Sequence, residues 1–109
     1  MLKRSRAREI ALQLLVQRDA NPKVPRDVIE RFVRERIRED AAVPFSLGLY
    51  DGVVGHLREI DAKLAAAAEN WRLARMAAVD RNVLRLGTYE LLFTPEETPA
   101  AVAIDEAIE

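Results

Sequence analysis

Apolar residues near the start of the chain fall three and four positions apart, at Ala7, Ile10, Ala11, Leu14 and Leu15. That spacing predicts a helix burying one stripe between Arg4 and Asp19, stopped by Asn21-Pro22. A second helix is expected behind Pro25 and Asp27, where Ile29, Val33 and Ile37 recur at four-residue intervals with Phe32 beside them. Its other faces are Arg and Glu, including Glu30 and Arg34 in the order that favours a helical ion pair. Pro44 reads as a break. Beyond it Leu49, Val53, Leu57, Ile60 and Leu64 predict one helix from Phe45 to Asn70, the longest of the chain. The run Ala65 to Ala68 has high helix propensity and little to bury, which places it at a surface or a close helix crossing.

Trp71, Leu73 and Met76 read as a connecting turn, and Asp80 as the cap of a helix carrying Val83, Leu84, Leu86, Leu91 and Leu92. Those positions cover more than one face, so this helix is expected to be central. Gly87 within it costs about 1 kcal/mol relative to alanine, which a neighbouring helix approaching its backbone would account for. Thr98-Pro99 has the form of an N-cap followed by the first helical residue, opening a last helix that reaches Glu109 with no stop signal. Neither an internal repeat nor strand-like alternation is found. The fold class expected is all-α.

Composition narrows the class further. With 109 residues, the chain is sized for one compact unit or two small, tightly joined halves. Half of the residues are hydrophobic and 32% are charged, enough for both a core and a solvated surface. The absence of cysteine removes disulfides and thiolate metal sites and fits a cytoplasmic location. The start is basic and then apolar, but Arg8, Glu9, Gln13, Gln17 and Arg18 interrupt any hydrophobic run, so neither a secretory leader nor a membrane span is expected.

The net charge of −1 hides an asymmetry. Lys3, Arg4, Arg6 and Arg8 put four positive charges into the first eight residues, whereas Glu96, Glu97, Asp105, Glu106 and Glu109 occupy the last fourteen without a base. A helix N-terminus carries partial positive charge and prefers acids, so four cations there favour a negatively charged outside partner. The free amides of the same turn donate to phosphate. On a helical wheel Arg4 and Arg8 lie about 40° apart, with Lys3 and Arg6 as a second pair flanking the apolar stripe. Two readings stay open on charge alone: a surface for single-stranded RNA, or a solvated basic start.

Elsewhere the residues carry little chemistry. The second helix balances Arg26, Arg31, Arg34, Arg36 and Arg38 against Asp27, Glu30, Glu35, Glu39 and Asp40, a salt-bridged solvent face. His56 is the only histidine, so no metal site follows from it. Asp51, Glu59 and Asp61 lack a second histidine or a thiol, and Ser5 and Ser46 lack a base at a recognisable spacing. No enzymatic activity and no cofactor are therefore expected. Trp71, Tyr50, Tyr89 and the three phenylalanines sit beside apolar helical positions and read as core or subdomain packing. Tyr89-Glu90 also suits an internal hydrogen bond.

Three segments in order resemble the NusB family: RSRAREIALQLL at the start, W-x-L-x-R-M-x-x-V-D-R-x-V-L-R-L-x-x-Y-E-L-L from Trp71 to Leu92, and P-x-x-V-A-I-D-E-A-I-E from Pro99 to Glu109. The resemblance covers nearly the whole chain and is thinnest from Asn21 to Pro44. It implies two small packed helical bundles in one domain, an N-terminal part over 1–44 and a C-terminal part over 45–109. It also implies an RNA-binding adaptor in transcription antitermination, which takes boxA-type ribosomal leader RNA together with the ribosomal protein NusE into the antitermination complex of RNA polymerase. The family's arginine-rich motif falls on Arg4, Arg6 and Arg8, which become the expected RNA contacts, with Lys3 added on charge.

Two departures qualify this. Many relatives carry a tyrosine where this chain has Val16, and relatives continue past the closing segment through a further helix, so the C-terminal bundle is expected to be incomplete. Under-covered Val102, Ile104 and Ile108 would then favour a homo-oligomer. The alternatives are the NusB-like accessory domain of a ribosomal RNA cytosine methyltransferase and a dimerising module without RNA binding.

Overall fold

The computed structural model describes residues 4–67 and 72–93. Among these residues there is no strand; helices joined by short turns make them up, an all-α architecture. It divides into two compact units, residues 1–51 and 52–109.

In the first unit α1 (Arg4–Ala20) buries Ala7, Ile10, Ala11, Leu14 and Leu15, the stripe read from the spacing. It ends where Pro22 has no N–H to extend the ladder. The Asn21 amide donates to the Gln17 carbonyl at 2.8 Å, and the Asn21 side-chain oxygen accepts from the Lys23 amide at 3.2 Å. Helix α2 (Arg26–Arg36) follows an extended Pro25, has Asp27 in its first turn and Arg34 and Arg36 in its last, and so matches the helix dipole at both ends. Its buried residues are Ile29 and Val33, and Ile37, extended just past the helix, is buried too. α1 and α2 contact one another.

Helix α3 (Ala42–Gly55) corrects one expectation, because it begins before Pro44 rather than after it. Proline is tolerated in a first helical turn, where its missing N–H would have had no partner in the helix. The break between α2 and α3 instead lies around Arg38 to Ala41.

The predicted helix from Phe45 to Asn70 is also divided. α3 stops at Gly55 and α4 (Leu57–Ala67) begins one residue after His56. Gly55 has low helix propensity. The Gly52 carbonyl takes both the His56 amide, at 3.1 Å, and the His56 ring Nδ1, at 2.9 Å, a side-chain bond that competes with the regular ladder. Ala65, Ala66 and Ala67 are exposed. A 3₁₀ turn over Leu73–Arg75 leads to α5 (Ala78–Phe93) and is pinned by Arg81, whose guanidinium donates to the Leu73 and Met76 carbonyls at 3.0 and 3.3 Å. Asp80 lies within the first turn of α5, where its charge suits the helix end, rather than at the cap. Trp71, Thr98-Pro99 and the closing helix lie outside the described residues.

Helix α5 packs on α4, but not as an apolar rod. Its buried residues are Asn82, Arg85, Leu86, Gly87 and Glu90, while Val83, Leu84 and Leu91 are only partly covered and Leu92 is 46% exposed. The reason is a polar lock between the two helices. Arg85 donates from Nε and Nη2 to the two carboxylate oxygens of Asp61, each at 2.8 Å, and from Nη1 to Asn82 at 3.2 Å. Asn82 in turn donates to the Ala78 carbonyl at 2.8 Å. A close approach of the kind expected at Gly87, which is buried, is seen at Gly52, where a Cβ would run into the Tyr89 ring.

Two stability outcomes follow. Asp61→Ala strands a buried guanidinium and is expected to cost about 3 kcal/mol in urea unfolding, most of it regained when Arg85 is also replaced by methionine. Gly52→Ala is expected to cost about 1–3 kcal/mol, because the Tyr89 ring is wedged beside Phe93 and must move; calorimetric melting checks it.

Candidate nucleic-acid interface

The basic start of α1 is not a loose tail. Arg4, Ala7 and Arg8 share one side of the helix at three- and four-residue spacing, and the first turns of α3 meet that side with two consecutive residues, Phe45 and Ser46. The Ser46 hydroxyl donates to the Ala7 carbonyl at 2.8 Å, with both residues fully buried. The guanidinium carbons of Arg4 and Arg8 stand 5.4 and 5.8 Å from the centre of the Phe45 ring, within the range where the ring's negative face attracts a cation.

The predicted contact residues therefore fall into different environments. Arg8 is buried, at 4% exposure, so it lends its charge from within. Arg4 is half-buried on the same ring. Arg6 points elsewhere, exposed and paired with Glu9 at 3.0 Å. Lys3 lies outside the described residues. The first turn contains no acid, so the partial positive charge of the helix end and the arginines add. Val16, further along α1, is half-buried.

Phe45 is the member of this cluster that the sequence did not single out. It follows Arg8 by 37 positions, and nothing in the α1 wheel points to it. On α2 Arg31 and Arg36 both lie 4.0 Å from Glu35, and Arg36 is stacked 3.6 Å over the Phe32 ring. His56 lies against Phe93, ring centres 4.1 Å apart, and near Tyr89 at 6.0 Å. Among the described residues no group of three or more His, Cys, Asp and Glu side chains is placed to hold a metal ion, and no helix is long and apolar enough to cross a membrane.

With this geometry in place, comparison with known proteins is decisive. The sequence model of the NusB family matches residues 5–109. The chain belongs to the NusB family. A transcription antitermination protein NusB from Anaeromyxobacter sp. strain Fw109-5 is 48% identical over 114 residues, spanning 99% of this chain and 75% of that relative. NusB of T. maritima superposes with a TM-score of 0.81 at 34% identity, over 99% of this chain and 76% of the other. A crystal structure of the antitermination factors NusB and NusE in complex with double-stranded RNA matches with a TM-score of 0.81 at 27% identity, over 96% and 77% of the two chains. The segments that resemble the NusB family include the arginine-rich start and the stretch from Trp71 to Leu92. Arg81 and Arg85 of the second hold the turn and the α4–α5 pair.

At the far end of α1 lie two further charged features of this NusB-family chain. Arg26 grips Asp51 through two bonds of 2.6 and 2.8 Å, and this hydrogen-bonded carboxylate raises the arginine further above its ordinary value. Burial pushes the Tyr50 hydroxyl above the ordinary tyrosine value of 10.0, against the pull of the Arg18 and Arg26 charges. The folded state thus holds the Tyr50 proton more tightly than the unfolded chain does. Its contribution is complete below pH 10 and is lost as pH rises through 10 towards the folded value. Wild type is expected to lose stability more steeply than Tyr50→Phe across that alkaline window, in parallel denaturation series.

Proposed function

We propose that the chain acts as an RNA-binding adaptor in transcription antitermination, contacting boxA-type leader RNA through the start of α1 and assembling with NusE. The observation that carries this reading is the acid-free, arginine-bearing first turn of α1, seated on α3 in a chain of NusB type. Lys3, Arg4, Arg6 and Arg8 form the RNA-facing arm, and the structure supports a division of labour among them. Arg4 and Arg6 reach phosphate and base edges, and buried Arg8 strengthens the local field. Arg6 gives up an exposed ion pair with Glu9 to do so, which costs little because such pairs contribute at most about 1 kcal/mol.

The adaptor has no catalytic step of its own and works in the cytoplasm, where transcription supplies its RNA and RNA polymerase is its ultimate partner. The relative solved with NusE carries double-stranded RNA. This chain's guanidinium forks suit single-stranded RNA, whose bases are open to edge and face contacts.

Titration of a single-stranded boxA-like oligonucleotide and of the matching duplex, with and without NusE, tests this. Three engaged cations are expected to give log affinity against log salt a slope of about −2. Arg4→Glu with Arg6→Glu is expected to weaken binding at least about 100-fold while the protein stays folded, since Arg6 is exposed, Arg4 is only half-buried and a carboxylate suits a helix start. RNA affinity surviving that double reversal would sink the reading.

A further inference from the structure

We infer that Phe45 is a positioning residue for RNA binding: its ring, braced by buried Arg8, holds Arg4 in the orientation that meets RNA. The inference rests on the RNA reading above and extends it to a residue on another helix.

A long arginine at the first turn of a helix has many rotamers, and ordering it on a ligand carries an entropy cost. Here that cost is reduced before RNA arrives. The Arg4 guanidinium lies 5.4 Å from the centre of the Phe45 ring. The ring itself is fixed by two neighbours. Arg8, 4% exposed, stands 5.8 Å from the same ring centre. Ser46, the next residue, is tied to the Ala7 carbonyl at 2.8 Å between the two arginines. The attraction of a cation to a ring face does not use up the guanidinium N–H groups, which can still donate to an anion in the plane of the fork.

The two arginines therefore differ in kind. Arg8 is a buried brace, and Arg4, half-buried, is the group that is held and used. Leucine at position 45 would preserve apolar packing but not the ring face. Tyrosine would preserve both.

The test replaces Phe45 with 3,4,5-trifluorophenylalanine, which keeps the shape of the ring and withdraws its electron density, alongside Phe45→Leu and Phe45→Tyr. The probe is a single-stranded boxA-like oligonucleotide, titrated at several salt concentrations against the folded full chain. Trifluorophenylalanine and leucine are expected to weaken binding about fivefold with the melting temperature of the fluorinated protein unchanged, and tyrosine to restore it. In an Arg4→Ala background the same ring replacements are expected to change nothing, because the group they position is gone.

A fluorinated protein that binds like wild type, while Arg4→Glu with Arg6→Glu still abolishes binding, overturns the inference and leaves the RNA reading intact. So does an equal loss in the presence and absence of Arg4. Charge reversal without effect on affinity overturns the RNA reading, and the inference with it.

Discussion

The hydrogen bond from Ser46 to the Ala7 carbonyl is the constraint on which the basic end of this protein depends. A helix start is ordinarily the part that frays, because its first amides lack partners within the helix. In α1 the end of the first turn is instead gripped from the side by a buried hydroxyl, and the adjacent ring of Phe45 lies 5.4 and 5.8 Å from two guanidiniums. A hydroxyl buried this deeply costs free energy unless it is hydrogen-bonded, so Ser46 at any other register would be unfavourable. The bond thereby fixes which face of α1 meets α3, and with it which arginines remain at the surface.

The second unit is held by a different means. Its helices α4 and α5 are joined by a guanidinium–carboxylate fork in which Arg85, Asp61 and Asn82 satisfy one another. Such a lock is directional where apolar contact is not, and it sets the rotation of α5 about its own axis. The cost appears on the outside, where Leu92 and Val79 are left exposed. Both units thus rely on polar groups to choose among the several packings that their small apolar cores would allow. In the first unit the same economy keeps arginines at the start of α1 without losing the helix that bears them.

Much of this was legible in the amino-acid order. The stripe of α1, the stop at Asn21-Pro22 and the entry to α2 behind Pro25 follow from short-range rules, and the helices obey them. The all-α class followed from the spacing of apolar residues, and the family from motif order along the chain. What escaped were effects decided by distant residues. Pro44 looked like a break because proline usually is one, but its place in a first turn depends on where α3 starts. The apolar residues of α5 promised a central helix, and only the partner Asp61, 24 positions earlier, turns its polar side inward. Arg8 was indistinguishable from Arg4 and Arg6 by composition. Its burial is a property of the helix laid beside it.

The junction between α3 and α4 has a consequence of its own. A carbonyl oxygen can only accept, so the contact between the His56 Nδ1 and the Gly52 carbonyl requires that this nitrogen carry the hydrogen. The imidazole is thereby locked into a single tautomer, with its lone pair on Nε2. One carbonyl thus receives two donors from the same residue at the helix break, a backbone amide and a ring N–H.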